Sequence, residues 1–163
     1  MGDMHPPYVA VVGPSAPGPS EAPRILEAAR EAGRLLAEQG CVVVTGGLGG
    51  VMAAAADAAH RAGGTTVALL PGERREDASP GHTIVIPTGM GEMRNALLVR
   101  SVDAVLAVGG AWGTLSEIAL AARAGVPVFA VDSWDLPGPE VVACATVPEA
   151  VVQLLEGLHP GGR

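Results

Sequence analysis

The 163-residue chain contains no lysine; all ten of its basic side chains are arginines. That absence removes two chemistries. A pyridoxal phosphate enzyme needs a lysine amine for its Schiff base, and a Walker-type phosphate loop needs the lysine of GxxxxGK[ST]. Amino-acid decarboxylation through that cofactor and ordinary P-loop phosphoryl transfer are therefore excluded. Aromatic residues are nearly as scarce, with two Trp, one Tyr and one Phe, too few for a base-stacking platform along single-stranded nucleic acid. Positive charge is outweighed by 17 acidic residues, for a net charge of −7. This opposes nucleic acid or an anionic membrane surface as partner. Any bound phosphate has to be held by local donors against the global field.

Only two cysteines occur, Cys41 and Cys144, each inside an apolar run (CVVVT and VVACAT), where a buried thiol is expected. No CxxC, HExxH or paired histidine spacing exists, and His5, His60, His82 and His159 are scattered, so no metal site is expected. The sequence shows neither a charged-then-apolar leader nor an apolar run of about 20 residues. A cytoplasmic protein without a membrane partner is the expectation.

Short β-branched runs alternate instead with alanine-rich amphipathic segments. Strands are predicted at 8–12, 41–45, 66–70, 83–86, 104–108, 128–131 and 142–145, and helices at 22–38, 51–62, 92–100, 114–124 and 149–158. Continuous apolar strands imply burial on both faces. The pattern predicts a single α/β domain over residues 1–163, a Rossmann-like doubly wound and mainly parallel sheet flanked by helices. Gly40, Gly63 and Gly125 stand where helices should end. Residues 71–82 read as a mobile surface loop, and 1–7 and 160–163 as loose tails. Ligands of such sheets bind beyond the carboxyl ends of the strands.

The strongest local signal is GGAWGTLSE at 109–117, directly after the apolar run 104–108. A glycine turn feeding a helix start presents unpartnered amides and a positive dipole end to an anion. Gly109, Gly110, Gly113 and Thr114 are therefore candidate phosphate-binding residues. Glu117 has two readings. Thr114-Leu-Ser-Glu117 spells a capping box, in which the carboxylate merely satisfies backbone; beside a phosphate pocket, the same carboxylate could serve catalysis. GGLGG at 46–50 also joins a strand to a helix. A GxGxxG fingerprint fails at Met52, and no acid follows the next strand, so classical dinucleotide binding is not expected. Gly47, Gly49 and Gly50 either admit a phosphate or base or form a tight turn. Arg94 can reach a phosphate, whereas Arg100, nearly two turns on, reads as a solvated or sheet-capping arginine. Ser15, on the first loop, is a weaker candidate for contacting base or phosphate.

Taken together, GGLGGVM, PGERRE, GMGEMRN and GGAWGTLSE resemble the Lonely Guy family of nucleoside 5′-monophosphate phosphoribohydrolases, and most of all its molybdenum cofactor carrier branch. The resemblance spans 9–131. It implies hydrolysis of an N-glycosidic bond to free base and ribose 5-phosphate without metal or cofactor. Glu117 and Arg94 would be the catalytic pair, with Asn95 at the position of the family's lysine. Gly109 stands in place of the family's proline, Ala111 of its second glycine and Gly91 of its methionine. The departures at Gly109, Ala111 and Asn95 support an alternative, a non-catalytic carrier of a nucleotide or phosphorylated pterin. The resemblance further implies a homodimer.

Overall fold

The computed structural model describes residues 5–158. Seven strands form one sheet: β1 Tyr8–Val12, β2 Val42–Thr45, β3 Thr66–Leu70, β4 Ile84–Pro87, β5 Ala104–Val108, β6 Val128–Val131 and β7 Val141–Cys144. Their order is β4-β3-β2-β1-β5-β6-β7, and every neighbouring pair is parallel. The chain thus winds outward from β1 to β4, then returns to β5 beside β1 and winds the other way. The sheet is the doubly wound one expected from the sequence. Pro87, which cannot donate to a ladder, falls on an edge strand.

Side-chain alternation divides the core into two layers. Val9, Val11, Leu106 and Val108 pack with α1 Ala22–Glu38, α2 Val51–Arg61 and α5 Val147–Leu158. Ala10, Val12, Val105 and Ala107 face the opposite side, against α3 Arg94–Arg100 and α4 Trp112–Ala124. Both cysteines are buried, free thiols. Gly40, Gly63 and Gly125 take left-handed dihedrals, with φ of 77°, 82° and 76°. They follow the helices that the sequence has them terminate.

Several strand and helix ends differ from expectation by one residue, and three helix starts differ by two for local reasons. Helix α4 starts at Trp112 rather than 114, because Ala111 takes the extended N-cap conformation. Helix α5 starts at Val147 rather than 149, since Pro148 is tolerated in a first turn. A 3₁₀ turn at Gly91–Met93 precedes α3, which opens at Arg94 rather than 92. Residues 71–82 are also more tied down than a free loop. The Ser79 amide donates to Gly47 C=O, and the His82 ring bonds Thr45 Oγ1 at 2.7 Å and the Ser79 carbonyl at 3.0 Å. Of the predicted tails, Pro7 is joined to the sheet through its carbonyl, which accepts from Val42 N–H. Residues 1–4 and 159–163 lie outside the described residues.

Candidate functional site

The chain reverses direction between β1 and β5, and their carboxyl ends leave a crevice at that switch point. A cavity of about 410 Å³ occupies it. Residues 13–15 after β1, Leu48 before α2 and Met52 within it, Pro71, Gly91 and Glu92, Arg94 and Asn95 of α3, Ala111 at the N-cap of α4, and Gly113, Thr114 and Glu117 of α4 line it. A larger depression of about 480 Å³ lies between α1 and α2. Its Arg30, Arg34 and Arg61 are engaged by Glu27, Glu38 and Asp57, so none of its arginines is left for an anion.

The capping-box reading of Thr114 and Glu117 is not what the fold uses. Ala111 is the N-cap, so Thr114 is the third helical residue and Glu117 faces inward nearly a turn later. Thr114 is 2% exposed, and among the described residues its hydroxyl has no partner. The same spacing in Thr146-Val-Pro-Glu149 does cap a helix: Thr146 Oγ1 accepts from Glu149 N–H, and Glu149 Oε2 from Ala145 N–H. Thr146 stands directly before a helix, whereas Thr114 lies inside one.

Glu117 is 8% exposed, and burial raises its carboxyl to about 7, against the opposing pull of Arg94. Near neutral pH it therefore exists in both protonation states. Arg94 is 7% exposed and burial lowers its pKa, although Glu117 favours its charge. Among the described residues no ion pair joins the two. Arg94 Nη1 instead donates to Gly46 C=O and Leu69 C=O, both at 2.6 Å, clamping the ends of β2 and β3. A side chain at Gly46 would collide with that guanidinium. Gly46 thus makes room for Arg94, a role that the GGLGG pattern conceals.

The remaining candidates divide. Ser15, Asn95, Gly113 and Thr114 line the cavity. Asn95 Nδ2 donates to Ser116 Oγ at 3.4 Å, while its Oδ1 is buried without a partner. Gly109 and Gly110 face a neighbouring cleft with Trp134, so the structure does not place them around the Glu117 cavity. Gly47, Gly49 and Gly50 are not on its wall either. A Cβ at Gly50, where φ is +60°, would strike Pro14 C=O, and one at Gly47 would crowd Leu70. Tight packing of the turn accounts for Gly47 and Gly50, whereas a Cβ at Gly49 would meet only Ser15 C=O at an ordinary 3.4 Å; Leu48 reaches the cavity.

The amides of Trp112, Gly113 and Thr114 precede the first bond of α4, from Leu115 N–H to Ala111 C=O. Together with Thr114 Oγ1 and Arg94 Nε, both without partners among the described residues, they gather donors around the cavity. Native folds rarely leave such buried groups unsatisfied. The arrangement is a donor-lined crevice at the switch point of a doubly wound α/β domain, with one neutral-range carboxyl beside it.

That class can be made more specific. Residues 6–154 match the SLOG cluster4 family, and the chain belongs to it. An uncharacterized protein of Archaeoglobus fulgidus is 47% identical over 93 residues. That stretch covers 57% of this chain and 61% of the relative, less than two thirds of its length. The structure of the molybdenum cofactor binding protein from Rippkaea orientalis matches 96% of this chain and 99% of its own, with a TM-score of 0.85 and 34% identity. The Moco carrier protein of Chlamydomonas reinhardtii matches 94% of this chain and all of its own, with a TM-score of 0.84 and 34% identity. The solved structures thus side with the carrier branch of the resemblance.

Among the described residues no helix is long and apolar enough to cross a membrane.

Proposed function

We propose that this protein binds and carries a phosphorylated small molecule, a phosphorylated pterin of the molybdenum cofactor type, in the Glu117 cavity. The observation that carries the reading is the unpartnered Thr114 hydroxyl and Arg94 Nε beside the free amides of α4. The phosphate would take the amides of Gly113 and Thr114 and the Thr114 hydroxyl. Arg94 would add its charge while holding β2 to β3, which makes it a positioning residue as much as a ligand. The likeness to the Rippkaea and Chlamydomonas proteins supports this choice of cargo.

One observation favours a second reading, phosphoribohydrolase activity: a carboxyl that titrates at about 7 inside the crevice. Ionised, Glu117 could activate water or stabilise the oxocarbenium-like ribose as the N-glycosidic bond breaks. Free base and ribose 5-phosphate would be the products. Both readings use the same anion wall and need no resident metal. A homodimer working in the cytoplasm is proposed with either.

Purified protein mixed with molybdenum cofactor and passed through a desalting column tests the carrier reading directly. Molybdenum and pterin co-eluting in a fixed ratio to protein, and lost in Thr114→Val, is the expected result. No co-elution, with free base released from a nucleoside monophosphate panel, would replace the carrier by the hydrolase. Light scattering on the eluted peak reports the oligomeric state.

A further inference from the structure

A second cleft of about 290 Å³ adjoins the Glu117 cavity. Pro14 lines both, and the turn after β5 divides them, with Gly109 and Gly110 on one side and Ala111 and Gly113 on the other. The two spaces differ in charge: Arg94 stands with Glu92 and Glu117 around the first, whereas no basic residue lines the second. The first has the donor wall described above; the second is bordered by the carboxylates of Glu21, Asp132 and Asp135. Arg24 pairs with Asp132, but among the described residues Glu21 and Asp135 have no ion-pair partner. A phosphate is repelled there, and a group rich in N–H donors is welcomed.

The cleft also has a flat wall. Trp134 lines it, and its ring packs on that of Trp112, with centroids 5.3 Å apart and planes tilted by 39°. Trp134 Nε1 donates to Ala111 C=O at 3.1 Å, which fixes its ring beside the dividing turn. A Cβ at Gly110 would sit 3.1 Å from that nitrogen, so glycine keeps the indole close. Trp112 remains 78% exposed. Ser133 Oγ, next to Trp134, is buried without a partner among the described residues. Asp132 holds a φ of 51°, unusual for a residue with a side chain, and this bend sets the course of the acidic segment.

We infer that the second cleft is the heterocycle subsite of one ligand whose phosphate lies in the Glu117 cavity, and that it selects a 2-amino-4-oxopyrimidine ring. Such a ring, as in pterins and guanine, presents an amino group and an adjacent ring N–H along one edge. A carboxylate accepts from both at once. Adenine presents one donor beside an acceptor, and that acceptor faces a carboxylate unfavourably. Asp135 is the carboxylate that reads the edge, and Trp134 supplies the stacking face. The inference rests on the phosphate-binding reading of the first cavity and adds the specificity which that cavity lacks.

Calorimetry on the full-length protein with GMP, AMP and ribose 5-phosphate tests it. GMP should bind at least about tenfold more tightly than AMP, the scale of one charge-assisted hydrogen bond. Asp135→Asn should erase that preference and leave ribose 5-phosphate affinity unchanged. Trp134→Phe should weaken both nucleotides while the sugar phosphate is unaffected, and quenching of tryptophan fluorescence by GMP gives an independent readout. Equal binding of GMP and AMP, or a preference that survives Asp135→Asn, overturns the subsite while the phosphate site stands. Failure of all three probes to bind overturns the phosphate site and the subsite together.

Discussion

Replacing Glu117 by glutamine keeps the shape of a buried side chain and removes its charge. Burial lifts this carboxyl from 4.5 to about 7, so the folded protein binds a proton more tightly than the unfolded chain does. The sign of the pH effect follows from that difference. Stability due to this group is complete below pH 4.5 and is lost as pH rises through 7, because the folded state must then bury an anion. Each tenfold change in acid strength corresponds to ~1.4 kcal/mol, so the penalty above pH 8 is about 3 kcal/mol. Glu117→Gln does not carry that penalty. In a domain of this size 1 kcal/mol moves Tm by about 2–4 °C. The variant should therefore melt about 6–12 °C above the wild type at pH 8.5 and nearly with it at pH 5. Thermal melts across that range, followed by circular dichroism, are the assay. A constant difference between variant and wild type at both pH values would show that Glu117 ionises as an ordinary exposed carboxylate, and the electrostatic account of the site would fail. Under the hydrolase reading, Glu117→Gln also lowers base release by roughly 10²- to 10⁴-fold.

Thr114→Val removes a buried hydroxyl that has no protein partner. Stability should stay level or rise while ligand affinity falls by about tenfold or more, seen in paired melts and titrations. Arg94→Met strips both the Gly46 and Leu69 carbonyls of their donor; urea unfolding should show a loss of about 2–4 kcal/mol, and an unchanged midpoint would remove the clamp. Gly33→Ala would drive a methyl into the backbone carbonyl of Ala55, where α1 crosses α2. A cost of about 1–3 kcal/mol is expected in the same experiment, and full stability would mean that the helices can part freely. Burial lowers the pKa of His82, so its contribution is present above the ordinary histidine range and lost as pH falls through its depressed value. His82→Gln should flatten the acid side of the stability profile, and an unaltered profile would count against the buried ring.

The alternation of apolar runs and amphipathic segments was enough to place all seven strands and five helices, because a buried parallel strand and a one-sided helix each need their own spacing of apolar residues. The crevice end was legible for a similar reason. Its loops carry glycines directly after apolar strands, and doubly wound sheets bind ligands at that edge. Glu117, Arg94, Thr114, Gly113, Asn95 and Ser15 all line one cavity, although they come from three separate stretches of the sequence. Less legible was what each glycine does. Gly109, Gly110 and Gly113 look equivalent in the sequence, yet only Gly113 borders the Glu117 cavity. Gly46 looks like part of a phosphate loop and instead clears space for a guanidinium.

By itself, the amino-acid sequence determined what chemistry the chain could not perform and which layers it would fold into. The missing lysine and the strand-helix alternation are covalent facts and local periodicities, and no packing arrangement can alter them. The tertiary structure decided the roles. Thr114-x-x-Glu117 and Thr146-x-x-Glu149 share a spacing, but α4 begins two residues before its threonine and turns Glu117 into a low-dielectric crevice opposite Arg94. Desolvation and the reach of distant carbonyls depend on what surrounds a side chain in space. They gave Glu117 its neutral-range carboxyl, made Arg94 a clamp between two strands, and brought Trp112 and Trp134 together at the edge of the site.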